Sequence, residues 1–480
     1  MPAIITSKFR FKNAKAFKDS IASDSVYLFL GKSDTWGTGS VGATSDTVPA
    51  NSPDDTLVDE NDARQNMMAL KKVANVVNIA RRHNWTYNTP YVAWDDSDPL
   101  IFTKAFYVVT DSLNVYKCLK AGPANSTEKP SHTSTEPQFT GDGYLWKYML
   151  QLGQMVATDT TNFLTTNNIP IRTVESDPGS AAPEYPYWTF QVNSRTSTKG
   201  KIYRIIVENG GTGYSQANPP TVTINGNYTT IAEATATVNA QGSVTSIDIK
   251  QITSGQNVEY KWGAGYTNAF VQIAAPVSGT TATARAVLTP LDGHGFNPVK
   301  ELGAYYIGLT VKLEYAEGND FVVDNAFRQI GLIRNPYDAG GTTVSTASTL
   351  SALRALRCQN HQEFEAGTYI VGALSNAVAF LDDYNPDATD DLTANPPVYA
   401  KHIKYHQNDK TGYKAFLLDE NITGYTLNGT QKGNGKIADS NGLISAEVDR
   451  FSGEILFIEN REPILRNDNQ IEDIKIILEF

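Results

Sequence analysis

The chain has 480 residues, of which 40% are apolar and 19% charged, with 24 tyrosines, 36 glycines and two cysteines. That length exceeds one compact core and predicts several domains of roughly 100 to 200 residues each, while the composition is that of a β-rich globular protein with a neutral-polar surface and excludes disorder along the whole chain. A net charge of −11 argues against nucleic-acid gripping as the main task, because neutralising phosphates needs clustered Lys and Arg.

The N-terminus, Met1-Pro2-Ala3-Ile4-Ile5-Thr6, has no charged start followed by a long apolar run, so no secretory signal is expected. No stretch of about 18 uninterrupted apolar residues occurs, so no membrane span is expected either. Lys8, Arg10, Lys12, Lys15 and Lys18 alternate with Phe9, Phe11, Ala14, Phe17 and Ile21, the spacing of a short amphipathic helix with a solvated basic face. Val26-Tyr27-Leu28-Phe29-Leu30-Gly31 reads as a buried strand. A long helix is expected from about Asp59 to Arg82, with Met67, Leu70, Val73, Val77 and Ala80 on one stripe, acidic residues at its start and Arg81 and Arg82 at its end. Runs at 106–110 and 115–119 flank Asp111-Ser112-Leu113-Asn114 as a hairpin. A Pro-, Ser- and Thr-rich loop over 121–140 leads to a turn at Gly141-Asp142-Gly143 and an aromatic strand with Tyr144, Trp146 and Tyr148 on one face.

From about Thr196 to Pro290 helical periodicity disappears and a degenerate repeat emerges. Gly211-Thr212-Gly213-Tyr214 recurs as Gly263-Ala264-Gly265-Tyr266; each is followed by a Val-x-Ile strand (222–224, 271–273) and an alanine-threonine strand (234–238, 282–287). Two copies of one β-unit of about 50 residues are the natural reading. A further all-β stretch runs from about Phe364 to Gly442, with strands expected at 369–372, 377–380 and 413–417. The chain closes with a strand at 454–458, a turn at Pro463 and a strand from Ile474 to Phe480.

Motifs that would carry chemistry are incomplete. Gly31-Lys32-Ser33 lacks the phosphate-loop glycine five positions earlier, where Val26 stands. Gly210 to Tyr214 is followed by Pro219-Pro220 and a strand, so no helix N-terminus faces a pyrophosphate. Asp383, Asn385 and Asp387 open like a calcium loop, but Ala388 and Ala394 occupy the turn-glycine and bidentate-glutamate positions. His402 and His406 would lie about 13 Å apart on one strand face, too far to share a metal. Asp95-Asp96-Ser97-Asp98 reads as a polar loop without the desolvation that tunes a catalytic carboxylate. Cys118 and Cys358 stand outside any Cys-x-x-Cys pair and suit a reducing compartment. No catalytic residue, cofactor, metal or small-molecule substrate is expected.

Four separated segments together resemble the T4-like phage baseplate wedge subunit, the gene product eight family. They are Ile5-Thr6-Ser7-Lys8-Phe9-Arg10 with Phe29-Leu30-Gly31-Lys32-Ser33 and Trp36; the run ending in Arg81-Arg82 with Trp85 and the strand Val115 to Leu119; Gly141-Asp142-Gly143-Tyr144-Leu145-Trp146-Lys147-Tyr148; and Phe327-Arg328-Gln329-Ile330, Asn335-Pro336 and Ser452 to Ile464 (with Glu459, Asn460, Arg461 and Pro463) through to Phe480. The resemblance implies a layered β-sandwich body with helix-containing loops, here enlarged by two inserted all-β modules. It divides the chain into 1–195 (first part of the body), 196–292 (module with the repeat), 293–344 (body strands), 345–440 (second module) and 441–480 (closing strands). It also implies a homodimer that bridges other wedge proteins during tail assembly, rearranges on contraction, and resides in the virion after assembly in the host cytoplasm, without nucleic-acid or membrane partners. Each matched residue also suits an ordinary core, turn or surface role. The aromatic β-content leaves a receptor- or glycan-binding tail protein as an alternative, and a cell-wall hydrolase would need a desolvated carboxylate pair.

Overall fold

A computed structural model describes residues 5–38, 40–49, 53, 54, 56–154, 163–254 and 257–480. The protein is mainly β with a minority of helix, and the chain divides into two compact units, one made of 1–16, 77–308 and 477–480, the other of 17–76 and 309–476.

In the first unit, strands Tyr107–Val109, Asn114–Lys120, Leu145–Gln151 and Gln138–Phe139 form an antiparallel sheet. Alternation along its two central strands sends Tyr116, Cys118, Trp146 and Tyr148 into one aromatic cluster with Tyr91 and Tyr144, and Val115 and Met149 to the opposite face, against Phe106 and Leu302. Lys117 and Lys147 point to that second face and stand opposite each other in register.

The repeat folds into a second core of the same unit. Strands Val244–Ile249, Glu233–Val238, Thr221–Gly226 and Ala269–Ile273 make one sheet, and Thr283–Ala286 pairs with Ile205–Asn209. The two Val-x-Ile strands lie side by side with Val222 opposite Ile273, Thr223 opposite Gln272 and Ile224 opposite Val271, so the copies meet about a local two-fold axis. Around that axis they exchange strands. The Tyr214 hydroxyl of the first copy accepts from the Ala282 amide of the second (2.9 Å), and Tyr266 of the second accepts from Ala232 of the first (3.0 Å). Gly213 at φ 82 lies so close to the other copy that a Cβ would stand 1.7 Å from the Ser278 carbonyl oxygen. Neither half can bury its apolar face without the other.

The second unit holds a five-stranded antiparallel sheet in the order Thr349–Ser351, Met67–Lys72, Val26–Gly31, Asn325–Arg334, Glu454–Arg466. It also holds a six-stranded barrel, in which Lys401–His406, Val378–Tyr384, Thr368–Gly372, Asn421–Tyr425, Gln431–Ile437 and Arg354–Gln362 close back on the first strand. A barrel of this size is filled by its own side chains; here the filling includes Leu356, Phe364, Ile370, Leu381, Ile403 and Phe416. Closure leaves these six strands no unpaired edge.

Three sequence expectations are corrected. The helix expected from Asp59 to Arg82 is a shorter helix, Leu57–Asn66, followed by strands Met67–Lys72 and Asn75–Arg81. Met67 to Leu70 are all buried, as in a strand covered on both faces, and such a run matches a helical stripe by accident. Tyr413 to Leu417 is a loop in which Phe416 alone is buried, plugging the barrel. No turn forms at Pro463; the strand Glu454–Arg466 runs through it, with extra residues bulged between the Gln329–Asn460 and Phe327–Ile464 pairs. A proline is tolerated there because this strand is the sheet's edge. The helix Tyr185–Thr198 has no counterpart in the sequence reading.

Candidate functional site

The most concentrated polar chemistry of the second unit lies where the end of strand Val26–Gly31 reaches the barrel strand Lys401–His406 and the loop after it. Asp34, with a side chain 2% exposed, accepts from the Lys32 ammonium (3.0 Å) and from the Lys410 ammonium (2.6 Å) at one oxygen. Its other oxygen lies 3.7 Å from Nε2 of the fully buried His406. Nδ1 of His406 contacts both carboxylate oxygens of Asp382 at 2.9 and 3.0 Å, and Ser33 donates its hydroxyl to the same Asp382. The Asn408 amide bridges to Asn66 (2.8 Å).

Burial by itself would push the His406 imidazolium to a lower pKa, but Asp382 and Asp34 outweigh it and hold the group at about 9. Burial would likewise raise the Asp34 carboxyl; the nearby His406 imidazolium and the charges of Lys32 and Lys410 prevail, leaving it well below the ordinary carboxylate range. Lys410 is lowered by burial, against the pull of Asp34. The imidazole presents both nitrogens to carboxylates and neither to Ser33, so this geometry holds a protonated histidine between two anions and leaves the Ser33 hydroxyl on Asp382 and out of reach of an imidazole base.

Lys32 and Lys410 form the floor of a cleft of about 900 Å³ walled by Trp36, Asn61, Asp62, Gln65, Asp409 and Asn460. The Trp36 indole donates to the Arg461 carbonyl (3.1 Å), and the Lys32 ammonium lies 5.7 Å from its ring centre. Asn460 accepts from the Gln329 amide (2.9 Å). Arg328 forks onto Asp46 at 2.6 and 2.7 Å and also donates to the Ser33 carbonyl. Thus Asn460 lines the cleft, while Gln329, Arg328 and the Arg461 carbonyl hold Asn460, Ser33 and Trp36 in place around it; Glu459 and Arg461 pair with each other at 3.0 Å, and Pro463 sits in the bulge beyond.

No family model matches the sequence, and no curated protein matches it.

The residues of the resembling segments at 7–10, 81–85 and 141–148 lie in the first unit. Ser7, Lys8, Phe9 and Arg10 open the helix Ser7–Ser23, with Arg10 bound to Glu479 (3.0 Å) and 5.3 Å from the Tyr305 ring centre. Arg81 ends a strand, Arg82 donates to Asn84 (2.7 Å) and the Thr165 carbonyl (2.9 Å), and Trp85 donates to Ser126 (3.2 Å). Asp142 accepts from the amides of Thr127 (2.8 Å) and Glu128 (2.9 Å) and from Ser126 (3.0 Å), which locks the turn with Gly141 and with Gly143 at φ 85 to the neighbouring loop. Tyr144 stacks on Trp146 at 5.7 Å. Asp95 is an ion-pair partner of Arg285 (2.5 Å), which ties this part of the polar loop down.

A second buried charge network was missed from sequence. Lys117 and Lys147 are both 0% exposed. Lys117 contacts Glu301 (3.1 Å) and Nδ1 of His294 (3.1 Å), with Trp94 under its ammonium at 3.8 Å. Lys147 donates to the Tyr148 carbonyl (2.5 Å) and to Ser194 (3.2 Å). Burial drives the Lys147 amine down to about 7, against the pull of Glu301. Glu301 is held at about 2, where burial is outweighed by Lys117 and His294, and His294 falls to about 4 through burial and the neighbouring Lys117. The signal available was a lysine inside each of two otherwise apolar strands, Val115 to Leu119 and Leu145 to Leu150.

Among the described residues no group of three or more His, Cys, Asp or Glu is arranged to hold a metal, and His402 lies against His361, ring centres 3.9 Å apart, within the barrel unit.

Proposed function

We propose that this chain is a non-catalytic structural subunit of the baseplate wedge of a contractile-tailed phage, acting as a homodimer that joins other wedge proteins and rearranges when the tail contracts. The observation that carries this reading is the alignment of the resembling segments. Gln329 stands opposite Gly31 on one neighbouring strand and Asn460 on the other, so Phe29 to Gly31, Phe327 to Ile330 and Glu459 to Arg461 are laid side by side in one sheet although they come from the start, middle and end of the chain. Residues so placed act as a set, as a family-defining body would require.

Two further features support it. In both networks buried ions pair, Asp34 with Lys32 and Lys410 and Glu301 with Lys117, an arrangement that stiffens a body and specifies its packing. The barrel has no open edge, and the edge strand of the five-stranded sheet, Glu454–Arg466, carries a proline and a bulge that discourage indiscriminate strand pairing.

Light scattering of the purified chain tests the dimer: a mass of two chains at micromolar concentration is expected, and a strict monomer there refutes it. A reconstruction of phage particles carrying a tagged copy tests the location, with density at the baseplate expected and density confined to the capsid or its absence from particles refuting the assignment.

A further inference from the structure

We infer that the cleft between Trp36 and Lys410 is a binding site for a neutral pyranose oligosaccharide, a property independent of any place in a baseplate. Its size, about 900 Å³, is in the range of small-ligand sites, roughly 300 to 1,000 Å³, and its chemistry selects the ligand. The Lys32 ammonium spends one of its three donors, on Asp34, and the Asn460 side chain uses its carbonyl oxygen on Gln329 and keeps its amide donors. Asn61 and Gln65 make no side-chain hydrogen bond to the described residues. On the acceptor side, Asp62 receives only the Asn66 amide at one oxygen (2.9 Å), and Asp409 receives the Tyr413 hydroxyl at one oxygen (2.5 Å).

The cleft therefore offers unspent donors and unspent acceptors together. An anion drawn to Lys32 and Lys410 meets Asp54, Asp59, Asp62 and Asp409, and a cation drawn to those carboxylates meets the two ammonium groups. A hydroxyl group suffers neither conflict, because it both donates and accepts. A ring carrying several hydroxyls on its edge and C–H groups on its face matches such a wall when an indole lines it as well, since the indole supplies apolar area in a fixed plane. Trp36 supplies that plane, its orientation fixed by the bond to the Arg461 carbonyl.

Calorimetric titration of the full chain tests the assignment, using maltotriose, cellotriose and N,N′,N″-triacetylchitotriose as neutral probes, with inorganic phosphate and spermidine as charged ones. Saturable binding of at least one neutral trisaccharide is expected. Trp36→Ala should weaken it about tenfold or more through lost stacking, and Asn61→Trp, at an exposed helix position on the rim, should block it while leaving the fold and melting temperature unchanged. Comparison with the parent monosaccharide separates the two sources of such a ligand: affinity rising with chain length marks a polysaccharide, and equal affinity marks a free sugar. Binding of phosphate or spermidine with no neutral sugar bound, failure of all three trisaccharides, or saccharide binding that survives both substitutions overturns the assignment.

Discussion

Replacing Lys147 by methionine should stabilise the first unit, and by an amount that shrinks as pH rises. The lysine lies fully buried, and burial lowers its amine from 10.5 to about 7. At pH 6 that difference is worth roughly 5 kcal/mol against the folded state, taking about 1.4 kcal/mol per tenfold change in proton affinity. Methionine keeps the length of the side chain and removes the charge, but it leaves the Tyr148 carbonyl and Ser194 hydroxyl short of a donor, at about 1 to 2 kcal/mol each. The expected net gain is on the order of 1 to 3 kcal/mol near pH 6. The direction with pH follows from a folded pKa below the unfolded one: from about 7 up to 10.5 the unfolded chain still binds the proton that the folded chain has released, so rising pH stabilises the native protein. By pH 9 only about 2 kcal/mol of the penalty remains, and the substitution should be neutral or slightly destabilising. Because the chain has two units, a single melting curve does not isolate the effect. Native-state hydrogen exchange of the amides in strands 114–120 and 145–151, wild type against variant at matched pH, reads it locally. A variant less stable than wild type at pH 6, or a difference that does not change between pH 6 and 9, would refute the reasoning.

The second unit should respond to alkali in the opposite sense. His406 is raised from 6.5 to about 9, so its contribution, roughly 3 kcal/mol, is complete below about pH 6.5 and lost as pH rises through 9; an imidazole titration by NMR should find it protonated at pH 8, and Asp382→Asn should move its midpoint down by a unit or more. Tyr214→Phe and Tyr266→Phe should each leave a buried amide, of Ala282 and Ala232, without its acceptor, costing about 1 to 3 kcal/mol; chemical denaturation should show two losses of similar size, and a large loss in one with none in the other would argue against strand exchange about a two-fold axis. Gly213→Ala puts a Cβ 1.7 Å from the Ser278 carbonyl oxygen at a φ of 82, so it should cost more than about 3 kcal/mol and disrupt the repeat module, visible as loss of exchange protection over 205–286 with strands 114–120 unaffected.

The candidate cleft was only partly legible beforehand. Gly31-Lys32-Ser33, Trp36, Arg328, Gln329 and Asn460 draw notice in the sequence because they fall within segments that resemble one family, and they do meet in space. Asp34, Asp382, His406 and Lys410, which form the buried network behind them, carry no local signal. An aspartate after a strand end and a histidine near the end of another are ordinary surface patterns, and it is the packing of Ser33 and Asp34 onto Asp382, His406 and Lys410 that takes water away from them. The lysines of the first unit differ: Lys117 and Lys147 stand among apolar neighbours on both sides, and that local pattern already marks them as buried.

What the sequence determines by itself is whatever depends on short-range pattern. The strand Val26–Gly31, the helix Ser7–Ser23, the aromatic strand beginning near Tyr144, and the two Gly-x-Gly-Tyr turns with their following strands are legible because neighbours in sequence alternate or repeat with the period of the element. Where one short apolar run fits both periods, as at Met67 to Leu70, only the available partners decide, and two adjacent strands, Val26–Gly31 and Thr349–Ser351, made it a strand. The exchange between the repeats, the closure of the barrel and the pairing of buried charges belong wholly to the tertiary structure. Each joins groups tens to hundreds of residues apart, and the free energy of removing a charge or a strand edge from water is set by what arrives to replace the water, which no local stretch of sequence contains.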